Sequence, residues 1–223
     1  MRGQRDHQTL IEALRADMAR FGLELGVSEF QKICDQTEPF ETPSSSVLLN
    51  QTRVADRLAF IVDGLAASRQ TWSDGRMTIA RFFEAGDICT NVSSAWTGEL
   101  ASDDLIAVTD AHGFFVPLVF FQAEYFHGET FGIYLRYRMM EAHLFAKELA
   151  CAKTSNETEI VYQFLDTHHR SVLKLAPKKD IARFLGVTPQ GFSRFLRRRR
   201  TAPRAVASEM PRRSVRPSPV QEP

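Results

Sequence analysis

Residues 178–200 read KKDIARFLGVTPQGFSRFLRRRR. This stretch concentrates side chains suited to one kind of chemistry. Lysine and arginine neutralise phosphates, an arginine fork takes two acceptors of a guanine, and a glutamine amide pairs with adenine. Here those residue types ride on an apolar frame. Ile181, Ala182 and Leu185 recur at helical spacing. Gly186 follows, where a helix C-terminus often needs a positive φ. Thr188 stands at a natural N-cap, with Pro189 at the first helical position. Phe192, Phe195 and Leu196 supply the apolar face of a second helix. Two short helices joined by a tight turn make a helix-turn-helix pattern, which lays its second helix in the DNA major groove. The early residues of that helix, about 189–198, should face base edges, while its basic end and flanks hold phosphates. Thr188, Lys178, Lys179, Arg197 and Arg198 are the phosphate candidates.

The charge distribution agrees. The formal net charge is only +1, yet residues 177–223 hold 12 Lys/Arg against 3 Asp/Glu, and residues 1–176 hold 16 against 24. A basic end on an acidic body suits a polyanion partner at one end only. Cys34, Cys89 and Cys151 are isolated and odd in number, with no CxxC or Cys/His metal spacing. No zinc or iron–sulfur site is expected, and the cysteines fit a reducing cytoplasm. The first residues lack an apolar h-region, and no run of about 18 apolar residues occurs, so neither secretion nor a membrane span is expected. No Ser-His-Asp, paired-carboxylate or phosphate-loop constellation stands out, so neither enzymatic activity nor a cofactor is expected.

The elements that must position the basic segment are legible in outline. Leu10, Leu14, Met18 and Phe21 form a helical stripe within 8–34, with Ser28 as the cap of a second short helix. From 38 to 126, short β-rich runs alternate with turns. The candidate strands are 47–50, 58–62, 65–71, 76–83, 105–109 and 113–120, with helix or strand open for 114–121. Asp63-Gly64, Asp74-Gly75 and Gly86-Asp87 mark the turns. Residues 128–151 predict one long helix, with Phe131, Leu135, Ala142, Phe145 and Leu149 near one face. A second stripe of Ile133, Tyr137, Met140 and Leu144 must also be buried, which favours a dimer seam. A further helix is expected over 157–176, with His168 and His169 near its end as a capping or surface feature rather than a metal site. The last residues, 201–223, are rich in Pro, Arg and Ser and predict a disordered basic tail. The expected fold class is α+β. A double-stranded β-roll with N-terminal helices occupies 1–127, a dimerisation helix 128–153, and an all-α helix-turn-helix domain 154–200.

A β-roll, a long dimer helix and a C-terminal helix-turn-helix occur together in one family. Residues 55–88, ADRLAFIVDGLAASRQTWSDGRMTIARFFEAGDI, and the segment DIARFLGVTPQGFSRFL carry the resemblance, with Gly64, Gly75, Gly86 and Asp87 in the family's turn positions. Over about residues 10–200 the chain resembles the Crp–Fnr transcription regulators, whose β-roll is of the cyclic-nucleotide-binding type. The resemblance implies a cytoplasmic homodimer on double-stranded DNA with a two-fold operator. It also places Gln190, Ser193 and Arg194 at the DNA-facing positions. Two departures stand out. Cyclic-nucleotide-binding members carry a Gly-Glu pair, then an Arg followed by Ser or Thr, after the Gly-Asp turn. Here no Arg or Lys lies between Asp87 and Val108, while Glu99, Asp103 and Asp104 do. A phosphate needs cations or several N–H donors, so no cyclic-nucleotide site is expected, and whether a small-molecule effector other than cyclic AMP acts in the roll stays open. Ser93, Ser94, Trp96 and Thr97 are the candidate pocket residues, with a packed loop as the alternative. Second, Arg200 leads straight into the Pro/Arg tail, as in a subgroup lacking the β-hairpin wing.

Two other readings remain open. One is a ligand-binding or protein-interaction β-roll that has lost specific DNA binding. The other is a cupin-type metalloenzyme, for which His112 lacks an HxH partner and His127 stands alone.

Overall fold

The computed structural model describes residues 7–201. Helices α1 (His7–Ala19) and α2 (Val27–Gln36) precede strands β1 (Glu38–Thr42), β2 (Val47–Leu49), β3 (Arg57–Asp63), β4 (Ala66–Thr71), β5 (Met77–Phe83) and β6 (Ile88–Cys89). Helix α3 (Val92–Thr97) separates these from β7 (Asp104–Ala107) and β8 (Ala111–Pro117). The rest is helical: α4 (Leu118–His127), α5 (Thr130–Thr154), α6 (Thr158–His168), α7 (Arg170–Leu175), α8 (Lys178–Phe184) and α9 (Pro189–Thr201). The strands form two four-stranded antiparallel sheets, ordered β1-β8-β3-β6 and β2-β7-β4-β5.

Successive side chains on a strand face opposite ways, and the central strand β3, RLAFIVD, is apolar on both faces because both are covered. Ala59, Ile61, Ala66, Phe83, Cys89 and Leu105 fill the space between the sheets. Leu58, Phe60, Phe114 and Val116 face outward from the first sheet onto α1, α2, α4 and α5. Leu65, Ala67, Ile79, Phe82, Ile106 and Val108 face outward from the second sheet, onto the end of α5 and the C-terminal helices. The chain crosses between sheets at Gly64, with φ +92°, where a Cβ would stand 2.3 Å from the Asp110 carbonyl oxygen. Only glycine fits both the conformation and the space there.

Several elements differ from expectation. The strand expected to run to 120 ends at Pro117, and α4 begins there. Pro117 has no N–H to continue the ladder, and α4 buries Phe120 and Phe121. Gly26, not Ser28, precedes the first turn of α2 as its N-cap. The helix expected over 157–176 breaks into α6 and α7 at His169, whose φ is −134°. Strands β1 and β6 and helix α3 were not expected. The first is an edge strand containing Pro39, and the second has two residues. Helix α3 depends on Asn91, whose side chain accepts the Ser94 N–H at 3.1 Å.

A buried polar cluster fixes how α5 lies on the roll. Tyr134 Oη donates to Asp17 Oδ2 of α1 at 2.8 Å. One turn later, Arg138 donates to Asp87 Oδ1 at 3.0 Å, to the Gly86 carbonyl at 2.5 Å and to Glu141 at 2.8 Å. Burial pushes the Tyr134 phenol well above its ordinary range, and the Asp17 carboxylate beside it adds to the rise. Removing one partner of a buried ion pair leaves an uncompensated charge, at a cost of about 3–5 kcal/mol. Arg138→Met should therefore lower unfolding stability by about that amount in urea titrations. Arg170→Met, which removes an exposed pairing with Asp166, should have little measurable effect.

Candidate nucleic-acid interface

Helices α8 and α9 are joined as the residue types require. Gly186 takes φ +69° just past α8, and the Val187 N–H returns to the Ala182 carbonyl at 3.0 Å. Thr188 Oγ1 accepts the Gly191 N–H at 3.0 Å, which caps α9. A Cβ on Gly191 would meet that oxygen at 3.1 Å. Glycine at 191 thus has a local reason, room for the cap, and close approach of a DNA backbone is not needed to explain it. Phe192 is buried, and Phe195 and Leu196 pack on the same cluster as Phe184 and Tyr162.

That packing turns the opposite face of α9 outward. Gln190, Ser193, Arg194 and Arg197, at i, i+3, i+4 and i+7, are all exposed, so they share one face. Arg198 lies beside them, also exposed, and Lys178 and Lys179 are exposed at the start of α8. Ser193 Oγ donates to the Pro189 carbonyl at 3.0 Å and keeps its lone pairs for a further donor. The run of four arginines is not uniform. Arg199 is drawn inward, donating to Glu159 Oε1 at 2.6 Å with its guanidinium 4.4 Å from the Tyr162 ring centroid. The basic tail expected after Arg200 lies, from residue 202 on, outside the described residues.

No family model matches the sequence, and no curated protein matches it significantly. Solved structures do match. FixK2 from Bradyrhizobium japonicum aligns at 20% identity over 74% of this chain and 85% of that one, with a TM-score of 0.61. A Crp/Fnr-family chain from Eubacterium rectale aligns at 15% identity over 79% and 84%, with a TM-score of 0.61. A cyclic nucleotide-binding domain from Methylobacillus flagellatus aligns at 14% identity over 63% and 82%, with a TM-score of 0.53. The β-roll has the cyclic-nucleotide-binding fold. At these identities the likeness is one of fold.

In this cyclic-nucleotide-binding-like roll, the polar groups of the segment after Gly86-Asp87 are engaged by the protein's own residues. Of the four candidate pocket residues, Ser94 is buried. Its hydroxyl accepts the Ala55 N–H at 2.9 Å and donates to the Glu99 carbonyl at 2.5 Å. Ser93 and Thr97 are exposed. Trp96 stands edge-on to Tyr125 and Phe126, with centroids 6.1 and 5.8 Å away. Asp103 accepts hydrogen bonds from Ser68 and Asn91. Asp104 accepts from Arg69 at 3.0 Å and from the Gln51 N–H at 2.9 Å. Arg69 is the cation that reading the segment alone missed, because β4 brings it from earlier in the chain. Among the described residues, no group of three or more His, Cys, Asp or Glu is arranged to hold a metal ion. Nor is any helix there long and apolar enough to cross a membrane.

Of the histidine pair, His168 is an exposed surface residue and His169 is not. His169 is buried, and its Nδ1 pairs with Glu84 at the end of β5. His168 packs on the Phe164 ring at 4.6 Å and edge-on to Phe145. Burial holds the His168 imidazole below its ordinary value, outweighing the nearby Glu148. The unfolded chain therefore takes up that proton first, and stability should fall as pH drops below about 6.5. His168→Gln should flatten this component when urea midpoints are compared between pH 7.5 and 5.5.

Proposed function

We propose that the chain is a homodimeric, sequence-specific DNA-binding transcription regulator of the Crp–Fnr type, lacking the β-hairpin wing. The observation that carries this reading is the face of α9 on which Gln190, Ser193, Arg194 and Arg197 stand exposed together, backed by Phe192, Phe195 and Leu196. Arg194 reaches O6 and N7 of a guanine, and Gln190 pairs with an adenine. Thr188, Lys178, Lys179, Arg197 and Arg198 hold phosphates along the groove. A regulator built on this fold reads a two-fold site on double-stranded DNA with half-sites one helical turn apart, about 34 Å. Its control by a small molecule in the roll other than cyclic AMP is part of the same proposal, with Ser93, Ser94, Trp96 and Thr97 near the ligand. The internally paired acidic groups Asp103 and Asp104 argue against a cyclic phosphate there.

The second copy is seated on α5. Ile133 and Met140 are 39% and 56% exposed, large for apolar residues at the middle of a helix, and Tyr137 and Leu144 are half-buried between them. Their spacing of four, three and four residues is that of a coiled-coil seam. Continued by seven residues, it reaches Cys151, which is an exposed thiol.

Two results test the reading. Arg194→Ala should weaken binding to a specific duplex by roughly 1–3 kcal/mol while changing binding to random DNA far less; equal losses on both would make Arg194 a backbone contact. In a parallel seam, Cys151 meets its own copy. Mild oxidation should then give a cross-linked dimer on non-reducing gels that Cys151→Ser abolishes. A monomeric mass in sedimentation, with no cross-link, would remove the seam from the proposal.

A further inference from the structure

A cavity of about 160 Å³ lies where β5, the turn at Asp87, α5 and the α6–α7 junction meet. Arg81, Asp87, Arg138, Glu141, Phe145 and His169 are among the residues lining it. It is separate from the Ser93–Thr97 segment and from the exposed face of α9.

The hydrogen bonding around this cavity is unbalanced in one direction. Its carboxylates already have donors. Asp87 accepts from Arg138 at 3.0 Å and from the Glu84 N–H at 2.8 Å. Glu141 accepts from Arg138 at 2.8 Å, and Glu84 accepts from His169 Nδ1. Three buried nitrogens on the lining residues make no hydrogen bond: Arg81 Nε, His169 Nε2, and Arg138 Nε, which lies 4.0 Å from Asp17 Oδ2. Arg81 is the extreme case. Its nearest carboxylate oxygen, on Asp87, is 4.0 Å away. Its guanidinium is covered by the rings of Phe83 and Phe145, at 4.8 and 5.0 Å. Buried polar groups without partners are uncommon and call for an explanation. With Nδ1 engaged by Glu84, Nε2 is the His169 ring nitrogen left for a ligand. Burial pushes the Glu141 carboxyl up, against the Arg138 guanidinium paired with it.

The missing partner is thus rich in acceptors, negatively charged and small. Pockets for drug-sized ligands run from about 300 Å³ upward, so a nucleotide does not fit. We propose that this cavity binds a compact oxyanion, an inorganic phosphate or a small organic carboxylate, seated on Arg81 and reached by Arg138 and His169. The site joins the roll, α5 and the C-terminal helices, so its ligand fastens the helices to the roll. The inference does not rest on the DNA-binding reading.

The test is thermal unfolding of the full chain at pH 7 with increasing phosphate, succinate or chloride at matched ionic strength. A ligand bound only by the folded state raises the Tm with concentration. Phosphate or succinate should raise it beyond chloride, and the more effective of the two identifies the source. Arg81→Gln should abolish the difference, whereas Arg194→Ala, on the basic face of α9, should retain it. If Arg81→Gln does not fold, His169→Asn makes the same comparison. No shift beyond chloride, or an equal shift in the cavity variant, would overturn the proposal.

Discussion

Burying a guanidinium is costly unless carboxylates accompany it into the interior. In this protein Arg138, at 13% side-chain exposure, is matched by Asp17 from α1, Asp87 from the turn after β5 and Glu141 from its own helix. Those three elements can satisfy it together only in one rotation of α5 about its axis. That rotation turns Phe131, Tyr134 and Leu135 onto the first sheet's helical cover, stacks Tyr137 on Phe21 at its margin and leaves Ile133 and Met140 exposed. The apolar side chains that α5 leaves exposed are therefore a consequence of where one charge is buried.

The same helix carries the constraint to the C-terminal helices. Beyond Arg138, Leu149 and Ala152 join the core formed by the second sheet and the C-terminal helices. Phe82 of β5 meets Phe184 of α8 at 5.4 Å. Lys153 donates to the Ala80 carbonyl at 3.3 Å, with its ammonium 4.6 Å from the Phe184 ring centroid, and burial lowers its pKa. The helices α6–α9 thus share a core with the roll. Any ligand that alters the β5 edge or the Glu84–His169 contact acts on their seat directly. This is the physical basis on which a signal in the roll could reach α9.

Much of this was legible in the residues, for identifiable reasons. The turns at Gly64, Gly75 and Gly186 need positive φ, so glycine marked them. The α8–turn–α9 segment was legible because its cap, its proline and its apolar spacing agree with one another. Other features depend on contacts distant in sequence. His169 breaks a helix that local propensity would continue, because Glu84, 85 residues earlier, pairs with it. Arg199 looked like one of four equivalent arginines until Glu159 and Tyr162 drew it inward. Arg69 and Arg81 carried no signal in sequence, since neither lies in a motif. Strand β6 is too short, and β1 too polar, for periodicity to register.

As proposed, α9 reads a specific sequence as part of a two-fold assembly. That reading is tested most directly by selecting bound duplexes from a random DNA pool with the purified full chain at two salt concentrations. The account predicts a two-fold-symmetric motif with half-sites about one helical turn apart, recovered at both. Binding without a motif, lost at the higher salt, would reduce the C-terminal segment to a non-specific polyanion-binding surface and contradict the account.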